Sequence, residues 1–169
     1  RPPLTRNTKL TGLQEPLDQA TDREWGHSLT EEVPPNTLRF LSLNHGGFPI
    51  QPTEIKTRQL QQYLLKTKCD IVGLTENNVH WKMLPIEHRL EERTQGWWEA
   101  LHMSNSYFSA YPTSQPLQYG GVSLWSINRV AYRVTEKGQD QRGLGRWAWT
   151  RYNGRAGVKL RIVIAYRPV

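Results

Sequence analysis

Two short segments of the sequence run apolar and then end in a polar residue that can do chemistry. The first is Leu41–Asn44 and the second is Ile71–Glu76, and each is typical of a buried strand with a functional side chain at its end. A divalent cation such as Mg²⁺ takes oxygen ligands, needs only one or two carboxylates, and leaves its other positions to water and substrate phosphate. A carboxamide beside it can hold a phosphate oxygen. Asn44 and Glu76 therefore predict the start of a metal-dependent phosphoester site.

The charge of the chain favours a polyanionic partner. The 169 residues fit one domain or part of one, with a net charge of +7 and a pI near 9.8. Nucleic acid is the commonest partner of such a chain, and a basic but inert surface is the alternative. No apolar stretch approaches the roughly 18–20 residues of a membrane-spanning helix, so we expect no membrane partner.

The single cysteine and the first residue bear on where the protein works. Cys69 has no second cysteine to pair with, so no internal disulfide forms, and its apolar neighbours predict a small core residue. This fits a reducing compartment, and we expect an intracellular location, with the nucleus as one candidate. The chain begins with Arg1 and has no signal peptide near its start, which favours a processed or partial chain.

The sequence pattern changes near residue 37. Residues 1–36 are polar and rich in proline, lack sustained periodicity, and predict a flexible leader with Trp25 as its one large apolar anchor. Residues 37–169 predict the folded domain.

The first part of the domain predicts a β-α-β unit. A strand is expected over Leu38–Asn44, a helix over Thr53–Lys66 and a second buried strand over Cys69–Thr75. A further helix is expected over Ile86–Met103, with Pro85 in its first turn.

The remainder is rich in strand signals separated by glycine, asparagine and proline. Because helices no longer alternate with these strands, the pattern predicts an α/β fold with two sheets packed face to face and helices outside. The expected strands are Tyr107–Tyr111, Gly121–Ile127, Ala131–Val134, Arg146–Tyr152 and Leu160–Tyr166.

Four segments, in their order along the chain, resemble the endonuclease/exonuclease/phosphatase superfamily. This superfamily includes apurinic-site endonucleases, endonuclease domains of non-LTR retrotransposons and DNase I-like enzymes. The region of Gly143–Trp149 is similar to the retroelement-type members. The four segments are Leu41–Asn44, Asp70–Glu76, the glycine-led strand Tyr119–Ser126, and Ile162–Pro168, which carries a tyrosine before a proline.

The resemblance implies a four-layer α/β sandwich, with two mixed sheets flanked by helices, of which this chain is the N-terminal portion only. It implies that Glu76 binds Mg²⁺ or Mn²⁺ and that Asn44 and Tyr166 are catalytic residues that position the phosphate. Val169 stands where many members have asparagine. The family's Asp-x-Asn motif, a further Asp and a late His would follow Val169. We therefore expect this chain alone to be inactive, with a polymerase domain downstream in the full-length protein.

The implied reaction is divalent-metal-dependent phosphodiester hydrolysis, with DNA as the substrate of a retroelement-type endonuclease. Two alternatives stay open. One is a phosphatase of the same superfamily acting on lipid or small-molecule phosphates. The other is a non-catalytic remnant that binds nucleic acid.

Each proposed site residue has a purely structural interpretation. Glu76 could pair with a nearby arginine or lysine, and Asn44 could form an Asx turn into His45. Tyr166 could be a core aromatic residue, because strand alternation places it on one face with Ile162 and Ile164.

Nucleic-acid contacts are expected from residues near these positions. Asn77 and Asn78 follow Glu76, and the C-terminal third is rich in arginine, including Arg146 and Arg167. Two tryptophans, Trp147 and Trp149, interleave with these cations as a platform for stacked bases. The alternative, which we favour slightly, is a sheet with its tryptophans on the core side and its arginines in solvent.

Overall fold

A computed structural model describes residues 32, 34–51 and 55–167. The elements below belong to the compact unit Val33–Val169. Residues 1–31 of the predicted leader lie outside the described residues, as do residues 168 and 169. No helix in the described residues has both the length and the apolar content needed to cross a membrane.

The predicted β-α-β unit is present. Strand β1 is Phe40–Asn44, helix α1 is Ile55–Thr67 and strand β2 is Ile71–Thr75. The two strands pair in parallel with Asn44 opposite Thr75. Leu60 and Leu64 of α1 are buried and join the core cluster on one face of the sheet. The crossover helix therefore delivers the ends of both strands to the same edge of the sheet.

The first sheet is completed by two antiparallel strands. Strand β3 is Leu101–Ser106 and strand β4 is Val122–Ile127, and the strand order is β1-β2-β4-β3. All six residues of β4 are buried, because β4 lies inside the sheet with both faces covered.

The predicted helix over Ile86–Met103 is wrong. The segment contains a 3₁₀ turn at Ile86–His88, a single helical turn, α2, at Leu90–Arg93, and then β3. Gly96 has φ +76°, which ends helical geometry.

Tertiary contacts explain the rest of this difference. Trp97 and Trp98 both pack on the buried Trp125 of β4, and this packing outweighs the helical spacing of the apolar residues. The predicted strand Tyr107–Tyr111 is also wrong. Its one paired residue is Phe108, which forms an isolated bridge to Leu144, and the actual strand, β3, ends before it at Ser106.

The second sheet is antiparallel, in the order β5-β6-β7. Strand β5 is Val134–Gln139, β6 is Trp147–Asn153 and β7 is Lys159–Ala165. The predicted strand Ala131–Val134 is wrong, because a 3₁₀ segment occupies Asn128–Arg133 and the strand begins only at Val134. Tyr166 lies one residue beyond β7.

The two sheets pack face to face, and this confirms the predicted α/β sandwich. Ile71, Val122 and Leu124 of the first sheet share a core cluster with Ala148 and Ile164 of the second. The other face of the first sheet packs on α1 and on a cluster that includes the fully buried Trp125. In the described residues, α1 is the one helix of more than two turns.

A close approach between the sheets occurs at Gly73, in the middle of β2. A Cβ atom at this position would lie 2.8 Å from Cδ1 of Ile164 in β7. Glycine therefore lets β7 come close to β2, and this contact sets where the residues that follow β7 lie.

The expected tryptophan core of the second sheet is wrong. In β6, Ala148, Thr150 and Tyr152 are buried, whereas Trp147 and Trp149 alternate with them on the outer face. Trp149 lies across Gly138 of the neighbouring strand, and Arg161 stacks on its ring at 4.4 Å. Because the space between the sheets is narrow, it takes the smaller side chains.

Candidate active site

Asn44 and Glu76 meet at one edge of the first sheet. Asn44 is the last residue of β1 and is paired with Thr75, the last residue of β2. Paired strands lie about 4.8 Å apart, and Glu76 follows directly on Thr75. The parallel crossover thus brings together the amide and the carboxylate that the sequence placed 32 positions apart.

Glu76 has an unusual backbone conformation. Its φ is +57°, in the left-handed region that side chains other than glycine, asparagine and aspartate rarely adopt. Its side chain is half-buried, and none of the ion pairs in the described residues involves it. The structural ion pair considered for Glu76 is therefore not formed within the described part of the chain.

Asn77 fixes the loop that begins at Glu76. It is 1% exposed, and its side-chain amide donates to Oγ of Ser123 at 2.6 Å. Its backbone N–H donates to the carbonyl of Gly121 at 3.1 Å, and its carbonyl accepts from Phe48 N at 2.8 Å. In this position the side chain holds the loop against β4 and presents no surface to solvent.

Asn78 joins the same loop to the segment before β4. Its side-chain carbonyl accepts from Gly120 N at 2.8 Å, and its backbone N–H donates to the Gly120 carbonyl at 2.7 Å. Its φ is +58°, which asparagine tolerates. The two asparagines thus hold in place the backbone that presents Glu76.

Tyr166 reaches Glu76 from the second sheet. Partial burial, together with the hydrogen bond and the negative charge of Glu76, raises the pKa of Tyr166. Its backbone N–H donates to the Arg146 carbonyl at 2.8 Å, and its ring lies near Gly120. The ring also packs against the core between the sheets, so its apolar body is structural while its hydroxyl faces the carboxylate.

Asn44 forms the turn that its sequence context allows. Its side-chain carbonyl accepts from Gly46 N at 3.1 Å, as in an Asx turn. The residue is exposed. The turn fixes the amide orientation and leaves the side-chain NH₂ available to donate to a ligand.

His45 is inside this site and is uncharged at neutral pH. Burial, reinforced by the charge of Lys56, lowers the pKa of His45 to about 4. Its ring packs on Phe48, with centroids 4.1 Å apart. The side chain therefore supports the turn between Asn44 and α1.

The predicted nucleic-acid contacts divide into two groups. Arg146 and Arg167 are both exposed. The Arg146 carbonyl accepts from Tyr166 N, and Arg167 follows Tyr166 in the sequence. Asn77 and Asn78 instead have the internal partners described above.

Sequence analysis did not single out two residues that line a groove beside the site. This groove has a volume of about 580 Å³, and both Lys56 and Tyr119 border it. Lys56 donates to the Gly46 carbonyl at 2.9 Å, and Tyr119 is 97% exposed. The position of Lys56 in the first turn of α1 was the available signal. No pattern in the sequence indicated that Tyr119 would be exposed.

The donor set fits a hard divalent cation. Glu76 offers a carboxylate that forms no ion pair with a lysine or arginine of the described residues, and the Tyr166 hydroxyl lies beside it. Mg²⁺ needs only one or two carboxylates from the protein. Within the described residues there is no cluster of three or more histidine, cysteine, aspartate or glutamate side chains that could enclose a metal.

Comparison with solved structures shows a likeness in fold. The chain is similar to an endonuclease/exonuclease/phosphatase family protein from Leptotrichia buccalis C-1013-b, with a TM-score of 0.48 and 14% identity. The match covers 79% of this chain and 56% of that protein, so the chain spans little more than half of its length. No protein-family model matches the sequence, and no curated protein matches it.

Proposed function

We propose that this chain provides part of the active site of a divalent-metal-dependent phosphodiester hydrolase of the endonuclease/exonuclease/phosphatase superfamily. The observation that carries the proposal is Glu76, a carboxylate held in left-handed backbone at a strand end, without a basic partner in the described residues and against the Tyr166 hydroxyl. Strained backbone of this kind is concentrated at functional sites.

Each side chain has a distinct part in this reaction. Glu76 would hold Mg²⁺ or Mn²⁺, which when bound would stabilise the charge of the transition state and of the leaving oxygen. The Tyr166 hydroxyl has one proton, which it shares with Glu76 in the free protein and would donate to a phosphate oxygen when the substrate is bound. The Asn44 amide, oriented by its turn, donates to a second phosphate oxygen.

The proposed substrate is DNA, cleaved by an endonuclease of the retroelement type. The net charge of +7 and the exposed Arg146 and Arg167 beside Tyr166 support a polyanion rather than a small neutral ligand. The likeness of Gly143–Trp149 to retroelement-type members supports the retroelement-type assignment.

A metal-dependent nicking assay tests the proposal. Supercoiled plasmid is incubated with Mg²⁺, with Mn²⁺ or with a chelator, using both the 169-residue chain and the full product of its gene. We expect Glu76→Gln to lower the cleavage rate on the order of 10²-fold or more, and Tyr166→Phe on the order of tenfold. Glu136→Gln is the control, because Glu136 is an exposed carboxylate paired with Arg151 on the second sheet.

The possible outcomes separate the alternatives. Cleavage that persists with chelator, or that Glu76→Gln leaves unchanged, contradicts the assignment of Glu76. Phosphate release from lipid or small phosphoesters without DNA cleavage points to a phosphatase. Salt-sensitive DNA binding with no cleavage by either protein favours a binding remnant.

A further inference from the structure

A basic pocket lies at the opposite end of β1 and β2 from Glu76. It is a pocket of about 270 Å³ bordered by three arginines, Arg129, Arg133 and Arg155. Leu38, which precedes β1, also lines it. Leu38 and Asn44 are six positions apart along extended chain, so this arginine pocket is about 20 Å from the candidate active site.

The positive charge of the arginine pocket is only partly neutralised. No aspartate or glutamate of the described residues lines it. The neighbouring Asp70 already accepts from Arg129 Nε at 3.1 Å and from Arg39 N at 2.9 Å. Arg133 and Arg155 form no ion pair in the described part of the chain.

The two unneutralised arginines are attached to well-defined backbone. Arg133 ends the 3₁₀ segment after β4, and its guanidinium is 3.5 Å from the Asn153 carbonyl. Arg155 begins the turn between β6 and β7, which closes through Gly154 N donating to the Val158 carbonyl at 2.7 Å. The two arginines therefore border the same pocket from separate elements of the backbone.

We propose that the arginine pocket binds a backbone phosphate of nucleic acid at a point remote from the reaction centre. Guanidinium groups bind phosphate oxygens through paired N–H donors, and a pocket of this volume admits a phosphate group. The choice of nucleic acid over other phosphate carriers rests on the proposed function. The site would anchor the polynucleotide, while Asn44, Glu76 and Tyr166 act on it elsewhere.

Salt-dependent binding tests the proposal without requiring cleavage. The affinity for a fluorescein-labelled duplex is measured by anisotropy over a range of salt concentrations, in chelator. We expect Arg133→Ala/Arg155→Ala to reduce the slope of log K against log salt by about 1, the value for one phosphate, and to weaken binding on the order of tenfold. The matched control, Arg58→Ala/Lys66→Ala, removes two exposed cations from α1 and should leave the slope nearly unchanged.

Several results would overturn this assignment. Equal losses in the pocket and control variants would mean that only net charge matters, and no loss would mean that the pocket is not used. Loss of binding to phosphoinositide vesicles, with duplex affinity unchanged, would assign the pocket to a lipid headgroup. Arg133→Lys/Arg155→Lys keeps the charge and should restore the slope, which excludes misfolding as the cause.

The result also stands apart from the active-site proposal. Glu76→Gln should leave the salt slope of duplex binding unchanged. A reduced slope in the pocket variant, in a protein that cleaves nothing, would support the pocket while contradicting the hydrolase. Cleavage that depends on Glu76, together with an unchanged salt slope in the pocket variant, would support the hydrolase and contradict the role of the arginine pocket.

Discussion

Adding one methyl group at Gly73 tests whether the close approach of the two sheets positions the site. The new Cβ would lie 2.8 Å from Cδ1 and 3.3 Å from Cγ1 of Ile164, whereas ordinary carbon contacts need roughly 3.5 Å or more. Overpacking of this kind costs about 1–3 kcal/mol. Replacing glycine by alanine in unstrained backbone alone would instead stabilise by about 0.4–1 kcal/mol. We therefore expect Gly73→Ala to lower the free energy of unfolding by about 1–2 kcal/mol.

The clash has a specific remedy. Ile164→Val removes Cδ1, the nearest atom, at a cost of about 0.5–1.5 kcal/mol by itself. If Gly73 and Ile164 touch as described, the double variant should be no less stable than Ile164→Val alone, with a favourable coupling of about 1–2 kcal/mol. Ile162→Val provides the control, because it shortens a half-buried isoleucine on the same face of β7 that is absent from the contacts of a Gly73 Cβ.

Urea denaturation followed by tryptophan fluorescence measures these values, with the buried Trp125 as a reporter of the core. Two results would refute the reasoning. One is a Gly73→Ala variant as stable as the wild type or more so. The other is effects of Gly73→Ala and Ile164→Val that add within about 0.5 kcal/mol, as they do for independent sites.

Two further predictions concern the loops around Glu76. The pKa of His45 is about 4 in the folded protein and about 6.5 in the unfolded chain. Because the unfolded chain therefore binds the proton more tightly, the free energy of unfolding is greatest above pH 6.5 and falls as the pH drops towards 4. The free energy of unfolding should fall by about 2 kcal/mol between pH 7 and pH 5, and the His45→Gln variant should lack this decrease. Equal shifts of the urea midpoint in the wild type and in His45→Gln would contradict the prediction. Asn77→Ala breaks the buried bond to Ser123 and should lower the free energy of unfolding by about 1–3 kcal/mol. Ser109→Ala, at an exposed residue outside this loop, is the control, and equal thermal midpoints of the two variants would contradict the internal role of Asn77.

The parts of the fold that the sequence predicts are those in which local pattern and burial agree. Strands β1, β2 and β4 are mainly apolar segments. Both faces of β2 and β4 are buried. Helix α1 has leucines at helical spacing that meet the sheet. Because the crossover between β1 and β2 is a standard unit, the meeting of Asn44 and Glu76 also follows from the sequence.

The errors arise where tertiary contacts decide the structure. The apolar residues of 86–103 are spaced as in a helix, yet Trp97 and Trp98 are used as a cap over Trp125. In β6, strict alternation fixes two faces but does not say which one is inside. That choice depends on the width between the sheets, which Gly73 and Ile164 set across a long sequence separation.

The candidate site shows the same division. The residue types of Asn44, Glu76 and Tyr166 are readable from the sequence, and the structure brings the three together. The internal partners of Asn77 and Asn78 are not readable, since they depend on the loop before β4. A polar residue after a strand can face the ligand or hold the backbone that presents the ligand-binding residue, and only the fold separates the two.

The left-handed backbone at Glu76 implies a conflict between folding and chemistry. Glycine would occupy φ +57° without the steric penalty of about 1 kcal/mol that a side chain incurs. A chain optimised for thermodynamic stability alone would therefore have glycine at position 76, and its carboxylate would be lost. Random mutagenesis selected only for thermal resistance should thus tend to erase this side chain, and a stabilised variant of the protein needs position 76 held constant from the start.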